Sequence, residues 1–359
     1  MSDCCTNTDA PKSSCCCGKP EAEAFQTVSP AWSGADRRGA VLCRLSNRFR
    51  MRYRVEPGLY AVGTPDGSSP VFVSANYRLS FNHLRRALLG IDGWILVLDT
   101  KGINVWCAAG KGTFGTGELV RRIAATGLAS RVTIRRLIVP QLGASGISAH
   151  EVKKTTGFSV VYGPVRAADL PAFLARNNTA TAAMRSVTFS LVDRTILTPM
   201  ELFPALRKFL WIMLGSFLVM GVYPQGILFA PALEGALPVW LALLAAVVAG
   251  TIITPILLPF IPGRSFAIKG ALTGSVSLLP FLLYHGRIFG YGWPLPAAIS
   301  LFGIAIASYL ALNFTGCTTF TGMSGVKKEM RIALPAYGLL CATSAAFIVL
   351  FKLGEWGIL

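Results

Sequence analysis

Charge is what the second part of this sequence lacks. Of 34 Lys and Arg and 17 Asp and Glu in 359 residues, only 7 basic and 3 acidic ones lie beyond residue 208. The apolar runs found there carry no dense set of charges, which argues against an ion pump or a proton relay. The N-terminus lacks the apolar core of a secretory signal. Disulfides are therefore not expected, and the nine cysteines should be reduced thiols in a cytosol. No cysteine spacing suits an iron–sulfur cluster.

What is present divides the chain in two, as its length also suggests. Residues 1–208 hold a net charge of +13 and read as soluble. Residues 1–40 are expected to be a disordered tail carrying Cys4, Cys5, Cys15, Cys16 and Cys17, because they mix Ser, Pro, Gly and Asp without periodicity. These thiols either bind or pass on a soft metal ion or are incidental. Residues 41–206 form the expected soluble domain and 207–359 a transmembrane domain. Five apolar runs, near 209–229, 236–260, 266–284, 294–314 and 332–351, each approach the roughly 20 residues that cross a bilayer as a helix. Basic residues gather before the first run and around the second and fourth loops, which puts the soluble domain on the cytoplasmic side.

Within the soluble domain, RLSNRFRMRYRV alternates arginine with apolar residues and predicts a strand with one basic face. Such a face is either a solvated edge or a neighbour of anionic lipid headgroups. Nucleic acid is not expected as a partner, because no binding motif accompanies the arginines. Downstream, strands such as PVFVSA, WILVLD, RVTIRRLIVP and SVVYGP alternate with helical segments. That order predicts a mostly parallel sheet with helices on both faces, whose ligands bind at loops beyond the strand ends.

One such loop is GINVWCAAGKGTFGTG, residues 102–117. Gly110, Gly112 and Gly115 spell the G-x-G-x-x-G of a dinucleotide site, but the following strand lacks the ribose-binding acid. A phosphate-cradling loop fails because Lys111 is followed by Gly112 instead of Ser or Thr. Cys107 is either a small core residue or a ligand. Gly102, Ala108, Ala109, Gly110 and Gly112 remove bulk around it, so a large flat group could approach the backbone. Lys111 and a helix N-terminus would favour the thiolate, a soft ligand for a metal carried by a cofactor.

The run Asn104-Val105-Trp106-Cys107-Ala108-Ala109-Gly110-Lys111 resembles the signature of the HgcA family, the membrane corrinoid proteins of microbial mercury methylation. PGLYAVGTPDG, SANYRLSF, VLDTKGINVWCAAGKGTFGT, IVPQLGASGISAHEVKK and GFSVVYGPVRAADLPAFL resemble the corrinoid-binding domain of the acetyl-CoA pathway corrinoid iron–sulfur protein. The five runs and the loop NFTGCTTFTGMSGVKKE are similar to the mercury-methylating family as well.

The resemblance implies an α/β Rossmann-like corrinoid-binding domain followed by an all-α bundle of five transmembrane helices. It implies a cobalamin-type cobamide with Cys107 as the lower axial ligand to cobalt. Asn104, Val105, Trp106, Ala108, Ala109, Gly110 and Lys111 would form a short cap helix around it, where the residues alone also allow a strand. None of His83, His150 and His285 lies in the D-x-H-x-x-G pattern of other cobalamin proteins. The implied activity is methyl transfer from the corrinoid to Hg(II), forming methylmercury at a cytoplasmic membrane. Implied partners are membrane lipid, a ferredoxin with two 4Fe–4S clusters and a methyl-folate methyltransferase system. Alternatives are a membrane-bound methyl carrier of one-carbon metabolism with another acceptor, or a dinucleotide-dependent reductase.

Overall fold

A computed structural model describes residues 25–288, 292–318 and 323–359. Cys4, Cys5, Cys15, Cys16 and Cys17 lie outside the described residues. The described chain forms two compact units, one of residues 25–32 and 54–185, the other of 33–53 and 186–359.

In chain order the first 185 residues give β1 (Phe25–Val28), α1 (Gly34–Leu45), α2 (Asn47–Arg52), β2 (Gly58–Val62), β3 (Val71–Ala75) and α3 (Arg78–Ala87). There follow β4 (Gly93–Leu98), α4 (Val105–Gly110), α5 (Thr116–Ala125), α6 (Leu128–Arg131), β5 (Arg136–Val139), α7 (Ala149–Thr156), β6 (Ser159–Tyr162) and α8 (Leu170–Ala175). The strands make one sheet in the order β1-β2-β4-β3-β5-β6. Its neighbours are parallel except for β2 and β4, which run antiparallel. Every residue of β3 and β4 is buried, the mark of strands covered on both faces. Leu96, Leu98, Val73 and Leu137 join Leu119, Ile123 and Val152 of α5 and α7 on one face. Ile95, Val97, Phe72 and Ile138 join Phe81, Leu84 and Phe173 of α3 and α8 on the other. The mostly parallel, helix-covered sheet expected from the sequence is what forms.

Two expectations for the start of the chain are corrected. Residues 25–40 are not a structureless tail. Phe25–Val28 pairs with β2 as an edge strand, and Ser33 with Asp36 closes a capping box that starts α1. The arginine-rich stretch is helical rather than extended. Ser46 caps α2 by accepting from the Phe49 N–H, and Arg and Met are good helix formers. Only the end of the stretch is extended: Arg54 makes an isolated antiparallel bridge to Tyr77, and the Val55 N–H donates to the Asn76 carbonyl at 3.0 Å.

The second unit holds α1 and α2 with α9 (Leu191–Gly221), the hairpin β7 (Val222–Tyr223) and β8 (Gly226–Ile227), and α10 (Phe229–Val248). A π-turn (Ala249–Ile253) leads into α11 (Thr254–Ile256), then α12 (Phe266–Ile288), α13 (Pro294–Asn313) and α14 (Met323–Glu355). Five of its helical segments are long and apolar enough to cross a membrane. The first begins at Leu191, well before the expected 209, and ends at Gly221 where the hairpin starts. The expected boundaries at 40/41 and 206/207 also move: 33–53 and 186–206 both belong to the helical unit. α10 and α13 form its buried centre, whereas α9 and α14 are mostly exposed. Close packing there depends on glycine. A Cβ on Gly270 would stand 2.5 Å from Ala311 Cβ, and one on Gly250 would stand 2.6 Å from the Ala307 carbonyl oxygen.

Candidate functional site

β4 delivers the chain to the loop that precedes Cys107. The loop turns through two left-handed residues, Lys101 (φ 58°) and Gly102 (φ 77°). Asn76, buried at the end of β3, holds this turn. Its Oδ1 accepts from Thr100 N (3.1 Å), Thr100 Oγ1 (2.9 Å) and Gly102 N (2.9 Å). Its Nδ2 donates to Asp99 Oδ1 at 3.2 Å, and the single Thr100 hydroxyl hydrogen is shared between Asn76 Oδ1 and the Ile103 carbonyl, 2.6 Å away. Sequence reasoning missed Asn76. Its signal was a polar residue closing the apolar run of PVFVSA, just before a helix.

Glu118 of α5 braces the same loop from the other side, accepting the Asp99 N–H at 2.9 Å and pairing with Arg122 at 2.8 Å and with Arg121. Burial pushes its carboxyl up, but the Asp99 amide and the two arginines outweigh this and hold it below the usual glutamate value.

Asn104 then starts α4. Its side-chain Oδ1 accepts the Cys107 N–H at 3.0 Å, the geometry of an N-cap. Val105–Gly110 is a short helix, as the resemblance implied, and not the strand that the residues alone also allowed. Its two sides differ. Ala108 and Ala109 are buried, with Val105 packed beside them on the sheet core. Asn104, Cys107, Gly110 and Lys111, three or four residues apart, share the opposite side. Asn104, Gly110 and Lys111 are exposed there, Cys107 is half-buried, and Trp106 is half-buried at the flank. The expectation that Ala108 and Ala109 clear space for a ligand is thus corrected: they let α4 sit close to the sheet. The open space is at Gly110, where an added Cβ would meet nothing within 4 Å.

α4 ends at Gly110, the chain turns at the left-handed Gly112 (φ 77°), and Phe114 plunges into the core. A loop after β5 locks this corner. A Cβ on Gly143 would meet the Phe114 ring at 2.5 Å, and one on Gly146 would meet the Phe114 carbonyl oxygen at 2.1 Å. Thr116 N donates to the Gly146 carbonyl at 3.1 Å. Next to this corner, Gln141 Oε1 is buried with no hydrogen-bond partner among the described residues.

The glycine fingerprint resolves against a dinucleotide. Gly110 lies inside α4 and Gly115 caps α5, so a helix separates β4 from the glycines. A dinucleotide site needs them in the turn directly between strand and helix.

Residues 47–174 match the family described as CO dehydrogenase/acetyl-CoA synthase delta subunit. The chain is also similar to curated proteins. The acetyl-CoA decarbonylase/synthase complex subunit gamma of Methanopyrus kandleri is 38% identical over 123 residues, 33% of this chain and 26% of that protein. The same subunit of Archaeoglobus fulgidus is 32% identical over 130 residues, 36% and 27% of the two chains. The corrinoid/iron-sulfur protein large subunit of Moorella thermoacetica is 30% identical over 126 residues, 34% and 28% of the two. The chain thus spans little more than a quarter of these relatives, and the similarity is confined to about a third of its own length.

Proposed function

We propose that this chain is a membrane-bound, corrinoid-dependent methyltransferase that places a methyl group on Hg(II), with Cys107 as the lower axial ligand to cobalt. The observation that carries this reading is the position of Cys107. It sits on the open side of a capped helix, beyond the C-terminal end of β4, within residues 47–174, which match the family described as CO dehydrogenase/acetyl-CoA synthase delta subunit.

The residues fit such a group. Among the described residues no cluster of three or more His, Cys, Asp or Glu could hold a metal ion. A single thiolate suits a metal whose other positions are filled by its own ring. Gly110 leaves the space above the helix open, and Gln141 Oε1 offers an unused acceptor nearby.

When bound, the corrinoid supplies a cobalt centre that carries a methyl group from donor to acceptor. The chain supplies the rest. Cys107 would hold the cobalt through its thiolate sulfur and supply electron density to it, which would favour methyl transfer to an electrophile such as Hg(II). Asn104 fixes the amide of Cys107, and Asn76 fixes the turn that delivers both. A ferredoxin with two 4Fe–4S clusters would return the electrons, and a methyl-folate methyltransferase system would return the methyl group. The first unit would face the cytoplasm, on the charge asymmetry of the loops.

The similarity to acetyl-CoA decarbonylase/synthase and corrinoid/iron-sulfur subunits does not single out Hg(II) and supports a second reading, a membrane-bound methyl carrier in one-carbon metabolism with a different acceptor. Anaerobic purification with corrinoid, comparing wild type and Cys107→Ala by visible absorption and by methylmercury formation, tests both. The proposal expects corrinoid in the wild type, an altered spectrum in the variant and no methylmercury from it. Cys107→His should keep corrinoid but transfer poorly. Full activity of Cys107→Ala overturns the ligand assignment. A loaded wild type that methylates another acceptor but never Hg(II) favours the carrier.

A further inference from the structure

Residues 33–53 take no part in the site described above. In α1 they bury Asp36, Gly39, Ala40 and Cys43, one side of an amphipathic helix, and α1 packs against α9. α2 folds back so that the Tyr53 hydroxyl lies 2.2 Å from where a Cβ on Gly39 would stand. Arg50 Nη1 reaches Met200 Sδ of α9 at 3.8 Å.

The outer side has an unusual make-up for a water-facing surface. Arg37, Arg38, Arg48 and Arg52 are exposed. Between them stand Val41, Leu42 and Met51, with 54%, 44% and 48% of their surface exposed. From 33 to 53 the sequence has six arginines and one acid, Asp36. Basic residues interleaved with exposed apolar ones mark a helix that lies in a membrane interface.

Its place in the helical unit agrees. The N-terminal half of α9, on which the pair rests, is pinned to the end of the second span by Arg194, whose Nη1 donates to the Ile256 carbonyl at 2.5 Å. At the same end Lys269 Nζ donates to the Leu258 and Ile261 carbonyls, and Glu329 accepts from Ser265 and the Ala267 N–H. Arg264, Lys327, Lys328 and Arg331 are exposed there.

We propose that α1 and α2 form an interfacial hairpin that binds anionic phospholipid headgroups, its arginines on the phosphates and Val41, Leu42 and Met51 in the acyl boundary. A soluble polyanion would satisfy the arginines but offer nothing to the three apolar side chains. Each arginine held near an anionic surface strengthens the contact about fivefold.

The test uses the full chain in nanodiscs of phosphatidylcholine, with or without phosphatidylglycerol, and reads amide hydrogen exchange across 34–52. Phosphatidylglycerol should slow exchange there by at least about tenfold, and high salt should reverse much of the effect. Replacing Arg37, Arg38, Arg48 and Arg52 together by Gln should abolish it, while replacing the same four by Lys should retain it. Val41→Ser with Leu42→Ser should weaken it. Unchanged exchange in α10 and α13, the buried centre of the same helical unit, reports that each variant is folded. Equal exchange in both nanodiscs overturns the proposal. So does equal protection from soluble polyphosphate or RNA added to phosphatidylcholine discs, which would make the surface a soluble-polyanion site.

Discussion

The side-chain oxygen of Asn104 accepts the backbone N–H of Cys107, 3.0 Å away, so the residue that starts the cap helix also fixes the thiol that the helix presents. Asn104→Ala should cost about 1 kcal/mol of local stability, the usual worth of an N-cap. Corrinoid retained on purification should fall with it, measured by visible absorption. Asn104→Asp and Asn104→Ser keep an acceptor and should stay near wild type. Equal loss in all three would show that the cap is not what matters.

Asn76 should prove the more sensitive position. Its Oδ1 accepts the N–H groups of Thr100 and Gly102 and shares the Thr100 hydroxyl hydrogen with the Ile103 carbonyl, so Asn76→Leu would strand the two N–H groups in a buried site. An unsatisfied buried donor costs about 1–3 kcal/mol. The expected result is a clear drop in the melting temperature of the full chain and faster hydrogen exchange across 99–110. Thr100→Val removes only the shared hydroxyl and should cost less.

Two glycines near the site should separate fold from ligand. Gly146→Ala would drive a Cβ to 2.1 Å from the Phe114 carbonyl oxygen, so the corner must shift and stability should fall by several kcal/mol, roughly the scale of overpacking. Gly110→Ala meets nothing within 4 Å and should leave the melting temperature unchanged. If a flat ring lies over α4, Gly110→Leu should still lower corrinoid binding. Undiminished binding in that variant would place the ring elsewhere.

Glu118 gives a pH dependence with a definite sign. Its carboxyl is held below the ordinary value in the folded chain, so the unfolded chain binds the proton first as pH falls. Its contribution is full above the ordinary glutamate range and is lost on acidification through the lower folded value. Asp66 is shifted the same way by Ser68 and Ser69 and adds to the slope. Comparing Glu118→Gln with wild type from neutral pH to pH about 3 isolates the Glu118 share. Hydrogen exchange across 93–125 should show a shallower acid limb in the variant.

The parts of this structure that were legible in the sequence are those with local causes. β3 and β4 read as unbroken apolar runs because both faces are covered. The fourth span, expected at 294–314, forms at Pro294–Asn313, bounded by a proline at its start. α9 was placed too late because Arg194, Glu201, Arg207 and Lys208 hide a continuous helix from a hydropathy reading. The arginine alternation misled because helix and strand were judged by period alone, without the Ser46 cap. Asn76 was invisible for another reason. Its partners lie 24 and 26 residues away, and no local pattern encodes a contact made only on folding.

The path of the backbone between the two units has a practical outcome. The chain leaves the sheet-bearing unit after Trp32, spends 33–53 in the helical unit, returns at Arg54 and departs again after Arg185. Neither unit is therefore one uninterrupted stretch of gene. A fragment starting at 186 would lack a piece of its own helical body, and one ending at 185 would carry that piece orphaned, its apolar side uncovered. Severing a single junction would not free either half, so genetic dissection of this protein calls for insertion or rearrangement instead of truncation.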